Sequence, residues 1–236
     1  MINPLYRTVL DMLFSAFPKG SKLNVLDYGC GNGLLLDYLP GKRINNYQGC
    51  DVNRASIKSA SDKYKKNNIC FFTIDKNKKV NLGKKDMFDA IILIGVLPYM
   101  SKKEISWFFS EARKVLKRGG VITISCANNH LLYRIVNIYR LLVKHSYINS
   151  EELINQMEKS GFIVDHYQEK GLIFAPLFSN VFVIFFDAID KLFFRNLGCL
   201  GPFGKASREL VNPLINFEYR FSVNYGYTLF IQARNN

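Results

Sequence analysis

Residues 24–33 read NVLDYGCGNG, and this stretch decides the fold. A short apolar strand ends in an acidic residue, a turn follows with glycine at every second position, and a helix is predicted over residues 34–39. Glycine takes backbone conformations that other residues avoid, and it lets a ligand approach the chain closely. In open α/β sheets, ligands bind at the carboxyl ends of the strands. The stretch therefore predicts a ligand-binding turn at the end of a first strand, residues 23–28.

The rest of the chain alternates between strand patterns and helix patterns. Apolar runs predict further strands at residues 47–52, 69–74, 88–94, 121–126, 162–167 and 227–233. Apolar residues at helical spacing predict helices at residues 4–17, 55–66, 103–116 and 150–160. The glycine pair at 119–120 is expected to cap the third of these helices. This alternation predicts an α/β, Rossmann-like sheet of seven mostly parallel strands, with helices on both faces.

The predicted sixth and seventh strands stand about sixty residues apart, too far for a plain connection in a compact domain. Residues 172–194, inside this gap, are rich in Phe, Ile and Val and predict a helical hydrophobic insert. We expect a core at residues 1–170, a helical lid at 171–224, and a final strand of the core sheet at 225–236. Polar residues interrupt the apolar run, so a membrane-spanning helix is not expected. Two interpretations of the lid remain: it packs over the active site, or it meets a lipid-like substrate or a membrane.

The glycine turn differs from two well-known nucleotide loops. The pattern is D-x-G-x-G-x-G, its third glycine comes one position too early for a dinucleotide fold, and no Lys-Ser or Lys-Thr follows as in a P-loop. The pattern resembles the first motif of the class I S-adenosylmethionine-dependent methyltransferases. The resemblance implies that S-adenosylmethionine is the cofactor and that Asp27, Gly29, Gly31 and Gly33 belong to its site, with Cys30 contacting it through the backbone.

The resemblance extends over about the first 126 residues. Asp51 ends the second strand, eighteen residues after Gly33, where the family holds the two ribose hydroxyls of the cofactor. A carboxylate can accept both hydrogen bonds, although Asp51 could also cap the helix that follows it. The resemblance further implies cofactor contacts by Val52, by Asp75 toward the adenine amino group, and by Ile94 at the end of the fourth strand. The alternative for Asp75 is a plain loop residue in a lysine-rich turn.

Methyl transfer from a sulfonium needs chiefly the alignment of the acceptor with the carbon–sulfur bond. A hydroxyl acceptor also needs a general base, and the candidates are His130 and His145, with His166 expected to be a packing or surface residue. Tyr6 on the first helix is a candidate for lying over the cofactor. Residues 94–99 lack the polar residue that the adenine amino-methylating enzymes carry there, which argues against that activity. No catalytic residue is assigned.

The formal net charge of +13 concerns the partners of the chain rather than its fold. Residues 54–118 hold 16 basic and 6 acidic residues, either as solvated helix faces or as a surface for an anion. The expected acceptor is a small, hydrophobic or lipid-linked molecule, with an anionic membrane surface as a further partner. The alternatives are an RNA methyltransferase that uses the basic central surface, with nucleic acid the less favoured partner, and a non-catalytic binding module that retains the cofactor fold.

The five cysteines suggest the redox setting of the chain. They are scattered, form no C-x-x-C pair, and have no histidine at metal-ligand spacing, so no metal site is predicted. Such thiols are typical of a reducing compartment. We therefore expect a cytoplasmic protein, with membrane association through the insert as a further expectation.

Overall fold

A computed structural model describes residues 3–75, 82–128, 149–172, 174–177, 189, 202–223 and 226–236. The strands are β1 (Leu23–Tyr28), β2 (Ile44–Asp51), β3 (Ile69–Thr73), β4 (Phe88–Ile94), β5 (Leu116–Ala127), β6 (Phe162–Lys170) and β7 (Thr228–Asn235). The helices are α1 (Pro4–Ser15), α2 (Arg54–Lys63), α3 (Lys102–Val115), α4 (Ser150–Lys159), α5 (Phe174–Leu177) and α6 (Pro202–Glu218). Short 3-10 helices lie at Leu34–Asp37, Gly41–Arg43 and Leu97–Tyr99.

The seven strands form one sheet in the order β3-β2-β1-β4-β5-β7-β6. The pairs from β3 across to β5 are all parallel, whereas β7 runs antiparallel to both of its neighbours, β5 and β6. The predicted seven-stranded, mostly parallel α/β sheet is therefore confirmed. Strands β1 to β5 all end at one edge of the sheet, where the glycine turn leaves β1.

Helices cover both faces of the sheet, as the sequence predicted. One face packs against α3 and α4, and its centre is a pair of fully buried rings, Phe108 and Phe109. The other face packs against α1 and the last turn of α6, with Tyr47 and Phe230 fully buried there. Burial of each such ring contributes roughly 1.5–3 kcal/mol to folding. These two cores fix the position of the strand ends that carry the candidate site.

The glycine pair after α3 has a different role from the predicted cap. Helix α3 passes directly into β5 at Leu116, so the prediction of a glycine cap at 119–120 is wrong. Leu116 pairs with Phe88 and Val121 pairs with Ala90, which leaves the residues between them as a bulge in β5. A Cβ on Gly120 would lie 3.0 Å from the carbonyl oxygen of Asp89, so the bulge needs glycine for close packing.

The predicted helix at residues 34–39 is a 3-10 helix of four residues, Leu34–Asp37. The amides of Tyr38 and Leu39 both donate to the carbonyl of Leu35, and the chain then reaches Pro40. Proline has no amide hydrogen to continue a helix, and it disfavours the helical conformation in the residue before it. The helix therefore ends early, and its first turn stays close to the glycine loop.

The connection between β6 and β7 holds two described helices, α5 and α6, which agrees with a helical insert before the last strand. Most of the predicted apolar segment 172–194 lies outside the described residues, and the domain boundaries at 170 and 224 stay predictions. Helix α6 lies within the predicted helical lid at 171–224, although no bounds were predicted for this helix. Pro213 lies inside it and masks the helical spacing of its apolar residues. In the described part of the chain, no helix is both long and apolar enough to span a membrane.

Candidate functional site

The glycine turn is tied by its backbone to the neighbouring strand. The amides of Gly29 and Cys30 both donate to the carbonyl of Cys50, at 2.7 Å and 3.0 Å. Gly29, Gly31 and Gly33 have φ angles of 79°, 54° and 77°, in the left-handed region that favours glycine. The spacing of glycine at every second position is therefore a requirement of the backbone path out of β1.

The three glycines differ in the space beside them. A Cβ on Gly29 would lie 2.3 Å from Cγ2 of Val96, and one on Gly33 would lie 2.9 Å from the ring of Tyr64. A Cβ on Gly31 would meet no atom within 4 Å. Gly29 and Gly33 are thus packed against the protein, whereas Gly31 faces open space, as a residue that cradles a ligand must.

Asp51 joins the end of β2 to the glycine turn. Its Oδ2 accepts a hydrogen bond from the amide of Gly31 at 2.8 Å, and its Oδ1 accepts one from the amide of Asn53 at 2.8 Å. The cap of α2 is Asn53, whose side chain accepts from the amides of Ala55 and Ser56. The interpretation of Asp51 as the helix cap is therefore wrong. Its carboxylate is held at the open side of the turn.

Asp27 lies beneath the turn rather than at its open side. The side chain is 3 % exposed, and the hydroxyl of Tyr47 on β2 donates to its Oδ2 at 2.6 Å. Burial raises the pKa of Asp27 to about 7; the hydrogen bond from Tyr47 opposes this rise, and the charge of Asp51 adds to it. Asp27 therefore changes charge near neutral pH, in contact with the floor of the candidate site.

Cys30 is buried within the turn, and its thiol lies beside the backbone at Gly49. Burial, first of all, raises the pKa of the Cys30 thiol, and the nearby Asp27 raises it further. The thiol is therefore a poor nucleophile. Cys50 and Cys126 are also buried free thiols, Cys70 is exposed, and Cys199 lies outside the described residues.

The remaining predicted cofactor residues follow the ends of three strands. Val52 comes directly after β2 and is 44 % exposed, and Asp75 is exposed just past β3. Ile94 ends β4 and is partly buried against the core on the α1 face. The structure thus brings Asp51, Val52 and Ile94 to the edge at which the glycine turn lies, with Asp75 two residues past the end of the neighbouring strand.

Aromatic residues surround the turn from the α1 face. The ring of Tyr6 on α1 stacks on Tyr38, with 5.1 Å between ring centroids, so the candidate from the sequence lies near the turn. Tyr64 was missed by sequence reasoning, although its ring packs beside Gly33 and its hydroxyl donates to Asp37 at 2.7 Å. Tyr47 was missed as well, because a tyrosine inside an apolar strand gives no sign that its hydroxyl meets a buried acid.

Ser125 on β5 is a second residue that the sequence did not single out. It pairs with Ile94, and its carbonyl accepts from the amide of Gly95 at 2.8 Å. Its hydroxyl is buried and has no hydrogen-bond partner in the described structure. A buried hydroxyl without a partner is uncommon, and this one lies one strand away from the predicted end of the cofactor site.

The histidines give no assigned base. His130 and His145 lie outside the described residues. His166 is exposed on β6 and pairs with Gln232 in the middle of β7, away from the strand ends. This agrees with the expected surface role of His166.

Among the described basic residues of the central segment, four form ion pairs. They are Lys63 with Asp37, Lys102 with Glu152, Lys114 with Glu111 and Lys117 with Asp89, at 2.6–2.7 Å. Exposed pairs of this kind add little stability, but they reduce the charge available to an anionic partner. These four cations are therefore already neutralised by acids of the protein.

Comparison with known proteins decides the class of the protein. Residues 25–120, which include most of β1, the glycine turn and β4, match a family model described as "Methyltransferase domain". The chain is a class I S-adenosylmethionine-dependent methyltransferase. S-adenosylmethionine is therefore its cofactor, and the interpretation as a non-catalytic binding module is set aside.

Two kinds of relatives place this methyltransferase among known proteins. It is 25% identical over 182 residues to the ubiquinone biosynthesis O-methyltransferase of Rhizobium leguminosarum bv. trifolii, covering 70% of this chain and 69% of that protein. Its fold is similar to an S-adenosylmethionine-dependent methyltransferase from Mesorhizobium loti, with a TM-score of 0.60, 17% identity, and coverage of 95% and 96%. Magnesium protoporphyrin IX methyltransferase from Synechocystis, solved with bound SAH, shares the fold with a TM-score of 0.60, 17% identity, and coverage of 99% and 84%.

Proposed function

We propose that this methyltransferase transfers the methyl group to a small hydrophobic acceptor and holds its cofactor across the ends of β1, β2 and β4. The observation that carries the proposal is the pairing of Asp51 with the open glycine, Gly31. A carboxylate offers about four lone-pair sites, and the backbone amides of Gly31 and Asn53 take two of them. Asp51 can therefore still accept from two ribose hydroxyls, so the residues present fit the cofactor.

The other proposed cofactor contacts follow from the positions of the residues around Asp51 and the glycine turn. Val52 offers an exposed apolar surface next to Asp51, suited to one face of the adenine, with Asp75 beyond it toward the amino group. Gly29, Cys30 and Gly33 shape the turn under the methionine part of the cofactor. Ile94 bounds the site on the β4 side. Asp27 lies beneath the turn, where its carboxyl group accepts the hydrogen bond from Tyr47.

The main task of the protein in the reaction is to orient the methyl group toward the acceptor. When bound, S-adenosylmethionine supplies a methyl group on a sulfonium, whose sulfur keeps the electron pair as the carbon–sulfur bond breaks. The residues at the edge of the sheet fix where that methyl group points, which is the main requirement of such a transfer. The acceptor approaches from the side of Ile94 and Ser125, at the ends of β4 and β5. The base remains unassigned, with His130 and His145 as the proposed candidates.

Two observations support a hydrophobic acceptor. The relative from Rhizobium is named for ubiquinone biosynthesis. Helix α6 and the turn after it also leave a stripe of apolar side chains exposed, formed by Leu210, Leu214, Phe217 and Phe221. Their spacing of four, three and four residues puts them on one side of the helix, while Ile215 and Tyr219 pack inward. Exposed apolar surface of this extent is typical of a contact with an apolar ligand or a membrane.

Calorimetry tests the cofactor assignment. We expect Asp51→Ala to weaken S-adenosylmethionine binding by roughly 100-fold, because two charge-assisted hydrogen bonds are lost. Asp62→Ala is the matched control, since Asp62 is an exposed acid on α2, and its affinity should equal that of the unchanged protein. Equal affinities for both variants, with circular dichroism showing intact folding, would contradict the role of Asp51.

The acceptor is identified by transfer of a labelled methyl group. Cell extracts are separated into an organic and an aqueous fraction, each is incubated with the enzyme and methyl-labelled cofactor, and the products are analysed by mass spectrometry. We expect label in a small molecule of the organic fraction. Label only in RNA, or only in polar metabolites, would refute the hydrophobic acceptor and leave the cofactor site unaffected.

Association with an anionic membrane is tested by cosedimentation with vesicles of phosphatidylglycerol and phosphatidylcholine. We expect binding that weakens on Phe217→Ser and Phe221→Ser, because both rings are more than half exposed. Vesicle binding that is unchanged in both variants would exclude the stripe as the contact.

A further inference from the structure

A cavity lies on the opposite flank of α1 from the glycine turn. It has a volume of about 320 Å³ and lies between α1, β6 and the end of α6. Tyr6 faces the glycine-turn side through its stack on Tyr38, whereas Arg7 and Asp11 line the cavity. None of the proposed cofactor residues lines it. The cavity is therefore a separate feature from the cofactor site.

The cavity opens toward the functional edge of the sheet. Lys170, the last residue of β6, lines it and pairs with Thr228 of β7. Thr228 also pairs with Ala127, the last residue of β5. The cavity thus lies level with the strand ends at which methyl transfer takes place, two strands beyond β5.

Positive charge dominates the lining. Arg7, Lys170 and Arg220 contribute three cations, and Asp11 is the one acid among the described residues that line the cavity. In the described part of the chain, no side-chain hydrogen bond or ion pair is formed by Arg7, Arg220 or Asp11. Lys170 donates one proton to the carbonyl of Tyr219 at 2.8 Å and has two more to offer. Burial lowers the pKa of Lys170, and the negative charge of Asp11 partly opposes this shift.

A neighbouring hollow on the same face shows how such charge is ordinarily neutralised. Its arginine, Arg234, forms an ion pair with Asp165 at 3.0 Å and also donates to the carbonyl of Gly119. Among the described residues, the two arginines of the α1–β6 cavity have no such partner. Unpaired guanidinium groups that converge on a cavity are suited to the oxygens of a phosphate, which they can bind with paired hydrogen bonds.

We propose that the α1–β6 cavity binds a phosphate group, held by Arg7, Lys170 and Arg220. Gln168 adds a neutral donor from β6. The excess of two positive charges over Asp11 matches a phosphate dianion better than a single carboxylate. The phosphate is either part of the methyl acceptor, because the cavity lies at the functional edge, or a free phosphate ligand. The site itself does not depend on the identity of the acceptor.

Titration calorimetry with inorganic phosphate tests the site, in chloride buffer of constant ionic strength. We expect binding that weakens roughly tenfold in Arg7→Gln and in Arg220→Gln, because each loses a charge-assisted hydrogen bond. Arg118→Gln is the matched control, since Arg118 lies in the bulge of β5 at the opposite edge, and it should leave the affinity unchanged. Asp11→Asn should tighten phosphate binding several-fold, because it removes the one acid of the lining.

The outcomes separate the alternatives. Absence of phosphate binding to the intact protein, or equal affinities in Arg7→Gln, Arg220→Gln and Arg118→Gln, would overturn the proposal. S-adenosylmethionine binding should be unchanged in these variants, so that failure of this site is distinguishable from failure of the cofactor site. Labelled-methyl transfer in extracts then assigns the source. Competition by phosphate supports a phosphate on the acceptor, and unchanged transfer together with phosphate binding supports a separate phosphate ligand.

Discussion

The two flanks of α1 are built in different ways. Toward β1 and β2, side chains are buried and paired, as in the contact of Asp27 with Tyr47. Toward β6, Arg7 and Arg220 are exposed and have no partner among the described residues. The first flank, from α1 to the end of β2, is formed within about fifty residues of chain, and the second joins segments more than 200 residues apart. The proposed cofactor side is thus held by contacts within the protein, whereas the side toward β6 presents the cations that we propose to bind phosphate.

The largest expected effect comes from the buried flank and is a change of the free energy of unfolding with pH. The pKa of Asp27 is about 7 in the folded protein, above its ordinary value of 3.8. The folded protein therefore keeps a proton that the unfolded chain releases, so stability from this group is greatest below pH 3.8 and is lost as the pH rises to about 7. The loss is roughly 1.4 kcal/mol per pH unit and about 4 kcal/mol in total.

Asp27→Asn isolates this effect. Denaturant unfolding from pH 4.5 to 8 should show that the variant gains stability relative to the unchanged protein as the pH rises, with a plateau above pH 7. Tyr47→Phe should extend the loss to higher pH, because the hydrogen bond from Tyr47 stabilises the charged form. A pH-independent difference between Asp27→Asn and the unchanged protein would refute the raised pKa.

The second prediction concerns Gly31, the glycine that faces open space. Gly31→Val should weaken S-adenosylmethionine binding by about 100-fold, because the side chain would enter the open space beside Asp51 and the backbone would be strained. Gly41→Val is the matched control, since a Cβ there also meets no atom within 4 Å and its φ is not in the left-handed region. Calorimetry should give normal affinity for the control. Equal affinity in both variants would place the cofactor elsewhere.

The packed glycine of the same turn predicts a loss of stability. Gly29→Ala should cost about 2 kcal/mol of unfolding free energy, because a Cβ would lie 2.3 Å from Val96 and φ is 79°. Val96→Ala in the same chain should recover part of this loss, since it removes the clashing methyl groups. If the double variant is no more stable than the sum of the two single changes predicts, the contact with Val96 is not the cause.

The smallest expected changes in stability distinguish the buried side of α6 and the turn after it from their exposed side. Tyr219→Phe should cost about 1 kcal/mol, because its buried hydroxyl is within 2.7 Å of Oγ1 of Thr228. Phe217→Ser, two residues earlier and 57 % exposed, should change stability by less than about 0.5 kcal/mol. Thermal unfolding of the two variants measures both. A large loss from Phe217→Ser would mean that the exposed stripe is covered in the folded protein.

The sequence predicts the glycine turn and its neighbouring strands well because local chemistry determines their backbone. The D-x-G-x-G-x-G pattern requires left-handed backbone at each glycine, and the structure has it at Gly29, Gly31 and Gly33. The strands at 23–28 and 88–94 are predicted to the residue. Apolar runs that end in turn residues are a strong signal for buried parallel strands.

The remaining features could not be predicted from the sequence because they depend on contacts between distant segments. The bond from Tyr47 to Asp27 requires the register of two strands, and the α1–β6 cavity requires α1, β6 and α6 to meet. Periodicity within one element contains neither fact. Within the predicted lid, the bounds of helix α6 were hidden by Pro213, whose cost is offset by packing of Ile215 and Tyr219.

The position of β7 in the sheet has a consequence for synthesis of the chain. β7 fills the gap between β5 and β6, yet the ribosome makes it about 100 residues after β5. At roughly 5–20 residues per second, β5 waits about 5–20 s with its outer edge unpaired. An unpaired apolar edge is a template for pairing with another chain. The nascent protein is therefore most prone to aggregate just before β7 emerges, and chaperone binding in that interval would raise its yield.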